Sequence, residues 1–325
     1  MKTPEKLKTM VSKITGVSFF YTLLAALALF AVASVLSPSF RTVDNILTIL
    51  RQASILVLLS MGLTAVVITG NIDLSVAACA ALSGCITASL IANGHSIVLG
   101  ILAGILVGVL TGLLNGFLVG VMNLPSFIAT YGTRMMLTGL AIIVMNGGVI
   151  YGLNENFQKI ATGYIGPVSM ILVIAIVCVI LIAVLFNKTT FGRQLYMYGS
   201  NPNAAKYAGC NTLLILFLSF VLSSACASIG GIVLVARANA ADSTIANAYV
   251  LTTVAAVVVG GTSMLGGEGG IFGTVIGSVV LCMITNIMNI LLIDSNWQNL
   301  VIGLAILLMV WIDVSSSKGK MKANK

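Results

Sequence analysis

The chain has 325 residues, of which 59% are hydrophobic and only 7% charged, with a net charge of +8 and a mean hydropathy of +1.12. A soluble domain carries about 25% charged residues, so a soluble fold is excluded and lipid must be the solvent for much of the surface. The positive charge does not indicate nucleic-acid binding. The basic residues occur in short loops and tails, as membrane topology requires, and no aromatic-and-basic surface accompanies them.

Apolar runs divide the chain into ten predicted membrane crossings, so the predicted fold class is an all-α polytopic membrane protein. The runs cover residues 17–36, 44–69, 72–92, 97–121, 126–146, 166–186, 211–235, 249–265, 271–293 and 297–313. Glycine and polar residues crowd the ends of the third and eighth runs, so eight or nine full crossings also fit. We expect a transmembrane domain at 17–313 between a cytoplasmic tail at 1–16 and a basic cytoplasmic tail at 314–325.

The distribution of lysine and arginine sets the predicted orientation. With the N-terminus inside, eleven of the 16 basic residues fall in inside segments and three fall outside, while Arg51 and Arg134 fall within spans. Positive charge favours the cytoplasmic side, and an even number of spans places both lysine-rich tails there. We therefore predict that both termini are cytoplasmic.

A polar break, Gly-Asn-Ile-Asp-Leu-Ser at residues 70–75, separates the second and third runs. A carboxylate at membrane depth costs about 3 kcal/mol, so it normally faces protein or a water-filled path. Asp73 can cap a helix that begins near Leu74 by accepting backbone N–H bonds. With Asn71 and Ser75 it can also form the polar wall or gate of a translocation path, and the two interpretations are compatible.

Glycine recurs at every fourth position from Gly100 to Gly120 in the fourth run. Strips of small residues at this spacing let helix backbones approach closely. We therefore expect close packing of this run against a neighbouring helix. Asn115 lies beside the strip, which leaves open a second role in lining a path.

The fifth run opens with an entry turn, Asn123-Leu124-Pro125-Ser126, which places proline near the start of a helix. Thr130 follows in the first turns, and Arg134 lies about two turns into the span. An intramembrane arginine needs a partner or water. Backbone carbonyls, Asp73 or another acid can supply that partner, and the sequence does not decide between them.

The longest polar stretch, residues 187–210, falls on the predicted inside. It divides into two short helices broken near residues 199–202, with Asn201 able to cap the second helix and Gly209 able to end it. Three tyrosines on these helices favour a docking surface for a cytosolic partner. An ordinary connector is the alternative.

A glycine-rich stretch at residues 260–273 superficially resembles a phosphate-binding loop. A Walker A loop needs Lys-Ser or Lys-Thr after its last glycine, and this stretch has neither. We therefore predict a bent re-entry between two membrane helices. The six cysteines lie in or beside apolar runs without a C-x-x-C pair, so we interpret them as small buried hydrophobes and predict no metal site.

Six strings, in order over about residues 40–313, resemble the permease subunits of ABC importers for ribose and related monosaccharides, within the branched-chain-amino-acid and sugar permease superfamily. They are Leu50-Arg51-Gln52-Ala53-Ser54, Ile68-Thr69-Gly70-Asn71-Ile72-Asp73-Leu74-Ser75, Leu124-Pro125-Ser126-Phe127-Ile128-Ala129-Thr130, Gly192-Arg193 with Asn201 and Ala204-Ala205, Gly260-Gly261-Thr262-Ser263, and Trp297-Gln298. The family usually has a second glycine where Asn71 stands, and glycine-serine in place of Ala77-Ala78. Both departures lie in the predicted pathway, so the substrate stays open.

The resemblance implies a two-fold permease, formed by two copies of this chain or by one copy and a closely related permease, in the bacterial cytoplasmic (inner) membrane. It also implies a separate cytoplasmic ATPase that binds ATP-Mg, and an extracytoplasmic binding protein that delivers the sugar. This chain is then a transport subunit with no cofactor and no catalytic residue of its own. The predicted ATPase-coupling residues are Gly192, Arg193, Gly199, Asn201, Ala204, Ala205 and Gly209. The predicted pathway residues are Asn71, Asp73, Ser75, Asn115, Thr130, Arg134, Asn286 and Asn289.

Three alternatives remain open. The first is an ABC permease for another small solute, such as a sugar-derived signal. The second is an ion-coupled secondary transporter in which Asp73, Glu268 and Arg134 are coupling groups. The third is a membrane scaffold or receptor subunit, which needs no continuous polar path.

Overall fold

The computed structural model describes residues 20–294, 296–298, 300–304, 307–308 and 311. Its helices are α1 Phe20–Leu36, α2 Val43–Ile68, α3 Val76–Ala92, α4 Ile97–Gly120, α5 Ser126–Val144, α6 Glu155–Thr162, α7 Met170–Lys188, α8 Thr190–Ser200, α9 Pro202–Tyr207, α10 Thr212–Ala238, α11 Tyr249–Val259 and α12 Ile271–Ile290. The strands are β1 Ile150–Tyr151, β2 Tyr164–Ile165, β3 Val168–Ser169 and β4 Ala240–Ala241. The predicted tails at 1–16 and 314–325 lie outside the described residues.

The apolar runs are helices, which confirms an all-α polytopic membrane protein. Within the described residues, six helices (α2, α4, α5, α7, α10 and α12) are long and apolar enough to cross a membrane, and three shorter helices (α1, α3 and α11) are also apolar. A bilayer core about 30 Å thick needs about 20 residues of helix, so α11, with 11 residues, reaches only part of the way. The tenth run, 297–313, is helical wherever it is described. Ten crossings and cytoplasmic termini stay predictions.

Helix α10 is the centre of the bundle, packed against α2, α3 and α4. The glycine strip of α4 explains the close approach. A Cβ at Gly108 would lie 2.6 Å from the Ser224 carbonyl oxygen, and one at Gly112 would lie 2.7 Å from the Phe220 carbonyl oxygen. The strip therefore packs backbone against backbone, as the spacing predicts.

A second, smaller core joins α1, the first half of α2, α11 and α12. Polar bonds cross this region as well. The Thr22 hydroxyl donates to the Val259 carbonyl oxygen at 3.0 Å, and the hydroxyls of Thr64 and Thr274 are 2.7 Å apart. Each bond joins helices that are far apart in sequence, so this side of the bundle is held by buried hydrogen bonds in addition to apolar packing.

The loops at 147–165 and 236–248, which are short in the sequence and able to form a rim but not a folded domain, contain strands of two short two-stranded sheets. Strand β1 pairs with β4, β2 pairs with β3, and α6 lies between the two pairs in sequence. Asn239 ends α10 in a left-handed conformation with φ of 50°, and its side-chain Oδ1 accepts the Leu153 backbone N–H at 2.8 Å. One asparagine therefore ends a central helix and fixes the neighbouring loop.

Candidate functional site

The predicted break between α2 and α3 is a turn that buries a carboxylate. The chain turns at Gly70, whose φ is 76°, and Asp73 follows at 1% exposure. Asp73 Oδ1 accepts the backbone N–H of Ser75 at 2.9 Å and its hydroxyl at 2.6 Å, while Oδ2 accepts the Ser223 hydroxyl at 2.9 Å. The expected helix start near Leu74 is wrong, because α3 begins at Val76 and Asp73 closes a turn just before it.

Asn115 extends this network from α4. Its Nδ2 donates to the Ser75 hydroxyl oxygen at 2.8 Å, and the side chain is fully buried. Its Oδ1 has no hydrogen-bond partner within the described part of the chain. Asn115, beside the glycine strip of α4, therefore connects α4 to the turn that precedes α3.

The first turns of α5 form hydrogen bonds to the backbone of the same break, residues 70–75. The Ser126 hydroxyl accepts the Ile72 backbone N–H at 3.2 Å, and the Thr130 hydroxyl accepts the Leu74 backbone N–H at 3.1 Å. Two of the family-like strings, which lie about fifty residues apart in sequence, therefore meet here. Side chains therefore satisfy the backbone N–H groups of Ile72, Leu74 and Ser75, and irregular backbone inside a membrane protein needs such partners.

The other predicted pathway residues lie elsewhere. Arg134 lies on α5 with its guanidinium carbon 5.9 Å from the centre of the Tyr131 ring, a cation–π contact. Asn286 on α12 exchanges two hydrogen bonds with Asn45 on α2, at 2.9 and 3.0 Å. Asn289 accepts from Gln298 at 2.7 Å. The structure thus gathers Asp73, Ser75, Asn115 and Thr130 around the break, whereas the described contacts of Arg134, Asn286 and Asn289 are made with other residues.

The loop at 187–210 forms two helices, α8 and α9, as predicted. Asn201 caps α9 by accepting the Ala204 N–H at 3.0 Å, and Gly209 follows α9 in a left-handed conformation with φ of 81°. Arg193 on α8 is exposed, whereas Ala205 on α9 is buried. The pair therefore has one face anchored in the bundle and one face free to meet a partner.

Helix α8 is seated on the break at the end of α2. A Cβ at Gly199 would collide with the Ile68 carbonyl oxygen and lie 2.6 Å from the Gly267 nitrogen. Gly267 itself donates its backbone N–H to the Ile68 carbonyl oxygen at 2.9 Å. Glycine at position 199 is therefore required for three backbone segments to meet at one point, which we call the α8 junction (Ile68, Gly199 and Gly267).

The predicted re-entry at 260–273 completes this junction. The segment between α11 and α12 turns back towards α8, and the Tyr196 hydroxyl donates to the Gly269 carbonyl oxygen at 2.9 Å. A phenol is a protonated donor at neutral pH, and burial raises the pKa of Tyr196 further. The glycine-rich segment thus connects α8 to the end of α11 and the start of α12.

Two cavities in the bundle are lined by residues of the family-like strings, one beside the α8 junction and one away from it. One of about 430 Å³, the Asn71 cavity, lies beside the α8 junction and is lined by Asn71, Ser126, Tyr198 and Lys206 among others. The second, of about 460 Å³, is the Gln52 cavity, which lies between α2, α10, α11 and α12. The sequence reasoning did not single out the second cavity. The signal was present, since Gln52 and Gln298 stand in the first and last of the family-like strings and both line it.

The fold and this site define a class of protein, a helical membrane protein whose bundle is interrupted by a buried polar turn at residues 70–75 and bears two short helices, α8 and α9. Residues 45–310 match the family described as the permease component of the branched-chain amino acid transport system. The chain therefore belongs to that family of permeases. No solved structure matches the chain.

Three curated relatives have names that describe import or transport. The chain is 38% identical over 288 residues to the ribose import permease protein RbsC of Bacillus subtilis (strain 168), covering 88% of this chain and 89% of that protein. It is 32% identical to the D-allose transport system permease protein AlsC of Escherichia coli (strain K12), covering 89% of each chain. It is also 32% identical to the autoinducer 2 import system permease protein LsrC of Escherichia coli O157:H7, covering 90% of this chain and 85% of that protein.

Proposed function

We propose that this chain is the transmembrane permease subunit of an ATP-driven ABC importer for a monosaccharide, ribose or a related pentose or hexose. The permease works as a pair of such subunits in the bacterial cytoplasmic membrane. A cytoplasmic ATPase, which binds ATP-Mg, drives it, and an extracytoplasmic binding protein delivers the sugar. The names of the relatives support the substrate class, and the α8 junction supports the coupling to an ATPase.

The α8 junction is the observation that carries the mechanism. Helix α8 touches both the end of α2 and the re-entrant segment before α12 through glycine backbones that leave no gap. Tightly packed interfaces transmit a displacement instead of absorbing it. When the ATPase closes on ATP and moves α8, the ends of α2 and α12 must move with it, so the two sides of the bundle alternate in their access to the sugar.

The predicted pathway residues take different places in this proposal. Asn71 faces the Asn71 cavity, next to α8, and is placed to meet a sugar leaving towards the cytoplasm. Asp73, Ser75, Asn115 and Thr130 hold the wall behind it in a fixed shape. A neutral sugar released by a binding protein needs no tight site here, because uniformly tight binding slows its release. Bulky substitution of Asn71 is expected to reduce uptake without affecting assembly.

Co-purification tests the proposed coupling. The chain is co-expressed with the ATPase encoded beside it in the genome, as wild type and with residues 199–205 replaced by a Gly/Ser linker. We expect the wild-type proteins to co-elute and the linker variant to lose the ATPase. Replacement of residues 146–149, a short loop at the opposite end of α5 from its entry turn, by the same kind of linker is the control and is expected to keep it. Absence of association in the wild type would contradict the proposal and favour an ion-coupled transporter.

The substrate is tested with the assembled importer. Purified complex in proteoliposomes, supplied with its binding protein, is expected to import D-ribose or D-allose only when ATP is present. The relative named for autoinducer 2 import gives one specific competitor, a sugar-derived signal. Uptake of that signal, with no uptake of either sugar, would replace the monosaccharide as the substrate.

A further inference from the structure

The Gln52 cavity lies at the end of the bundle opposite the α8 junction. Gln52 stands sixteen residues before Ile68 in α2, which corresponds to about 24 Å along a helix. If α8 faces the cytoplasm, as the proposed function requires, this cavity opens towards the side from which the binding protein delivers its sugar. Its volume of about 460 Å³ falls in the range of small-molecule sites, about 300–1,000 Å³.

The cavity is lined by polar groups of the kinds that bind hydroxyl groups. They are Gln52, Arg237, Tyr249, Thr252, Thr285 and Gln298. In the part of the chain that the structure describes, the Gln52 amide and the Arg237 guanidinium have no hydrogen-bond partner. The Gln298 amide donates from Nε2 to Asn289, which leaves its Oε1 as an acceptor. A carboxamide both donates and accepts, and a guanidinium presents a fork of donors, so this set can satisfy neighbouring hydroxyls of one ring.

The rest of the lining narrows the class of ligand. Leu56, Leu234, Leu281 and Ile302 give the cavity an apolar wall, on which the C–H face of a sugar ring can rest. Its described lining contains no carboxylate, so the one formal charge facing the space is that of Arg237. This combination disfavours a cation and suits a neutral polyol with an apolar face.

We propose that the Gln52 cavity is the receiving site of the permease, where a monosaccharide released by the binding protein is first held. Gln52, Gln298 and Arg237 bind its hydroxyls, and the leucine wall supports the ring. This proposal rests on the proposed function. The residues of this site are distinct from the Asp73 network. Gln52 of the first family-like string and Gln298 of the last one bind the same sugar.

Uptake by the reconstituted importer tests the site. The complex of permease and ATPase in proteoliposomes is given saturating ribose-loaded binding protein, and initial rates are measured for Gln52→Leu, Gln298→Leu and the matched control Gln158→Leu. Gln158 belongs to α6 and does not line the cavity. Since each glutamine variant leaves a hydroxyl of the sugar unpaired in the site, we expect uptake by the first two variants to fall about fivefold or more. The control is expected to stay within about twofold, and ATPase association is expected to persist in all three.

A second measurement keeps the test decisive if a glutamine variant assembles poorly. Thr285 lines the same cavity, so the thiol of Thr285→Cys should react with a small alkylating reagent more slowly when free D-ribose is present. Peptide mass spectrometry separates this thiol from the native cysteines. Ribose protection supports the site, especially if Gln52→Leu abolishes it.

Two results would overturn the receiving site while leaving the proposed function intact. One is uptake by both glutamine variants equal to wild type, and the other is an absence of ribose protection at position 285 in a complex that imports ribose. A wild-type complex that imports no monosaccharide is a different result, because it contradicts the proposed function and therefore this proposal with it.

Discussion

Gly267 donates its backbone N–H to the carbonyl oxygen of Ile68 at 2.9 Å, which joins the re-entrant segment before α12 to the last residue of α2. Gly199 of α8 packs on both of these backbone atoms. A contact made by backbone alone cannot adjust by changing a rotamer. The geometry of the α8 junction is therefore sensitive to a single added methyl group, and the coupling of the importer should be equally sensitive.

Gly199→Ala is expected to uncouple the importer. The added Cβ collides with Ile68 and lies 2.6 Å from the Gly267 nitrogen, and overpacking of this kind costs about 1–3 kcal/mol. We expect α8 to leave its seat, so that sugar-loaded binding protein no longer stimulates ATP hydrolysis and uptake falls. Both rates are measured in proteoliposomes.

The matched control is Gly132→Ala on α5, where an added Cβ meets nothing within 4 Å in this chain. It is expected to preserve both rates, because alanine is the better helix former and there is space for it. Stimulated hydrolysis that survives in Gly199→Ala would argue against transmission through the α8 junction.

Asp73→Ala is expected to destabilise the bundle by at least about 3 kcal/mol, because it removes a buried acceptor of three hydrogen bonds and leaves the donors of Ser75 and Ser223 without their partner. The measurement is unfolding by SDS in mixed micelles. Asp242 offers a matched control, since its Oδ1 accepts both the N–H and the hydroxyl of Thr244 in an open loop. Asp242→Ala should cost less than about 1 kcal/mol. Equal losses for the two variants would mean that burial does not strengthen the Asp73 network.

Asn45 and Asn286 should behave as one unit. Their amides exchange two hydrogen bonds, at 3.0 and 2.9 Å, so either single alanine variant removes the whole interaction. We expect the double variant to be about 1 kcal/mol more stable than the sum of the two single losses. The control is Asn93→Ala, whose side chain bonds only within its own helix at 2.9 Å. Simple additivity of the Asn45 and Asn286 losses would show that the pair does not tie α2 to α12.

Tyr196→Phe removes the hydrogen bond to Gly269 and should destabilise the permease by about 1 kcal/mol. Tyr207→Phe is the matched control, because Tyr207 is 92% exposed and should show no change in the isolated chain. An equal loss for both tyrosines would remove the special role of Tyr196.

The pH dependence of stability gives an independent check on Tyr196. Burial raises the pKa of this phenol in the folded protein, so the folded state retains the proton where an ordinary tyrosine, with a pKa of about 10, loses it. The stabilisation is complete below about pH 10 and is lost as pH rises beyond it. Tyr196→Phe should therefore weaken the decline of stability above about pH 10, relative to wild type.

The sequence predicts the helices well, because each depends on local signals. Lipid requires long apolar helices, so their runs are plain, and proline, asparagine and glycine mark the ends of α9 clearly. The start of α3 was misplaced by two residues. Asp73 forms its bonds to Ser75 within the turn. An aspartate in such a turn and an aspartate that caps a helix have the same local sequence, so composition does not distinguish them.

Long-range contacts could not be predicted to the same degree. Nothing in the local sequence indicates that Ser223, 150 residues away, donates a hydrogen bond to Asp73. The same is true of the pairing of Asn45 with Asn286. Arg134 was expected to need a polar partner, and its partner is the aromatic ring one turn earlier. The Gln52 cavity was missed because its lining comes from five separate parts of the chain.

The glycines of α4 do not all face the same neighbour. A step of four residues on a helix of 3.6 residues per turn advances by about 40°, so five steps wind about 200° around the axis. Gly100 accordingly abuts Thr87 and Ile91 of α3, whereas Gly116 abuts Phe217 of α10. The winding makes the length of α4 as important as its composition. One inserted residue would swing every following glycine by about 100° and present bulky side chains to α10, so this helix can vary in its outward residues but not in their number.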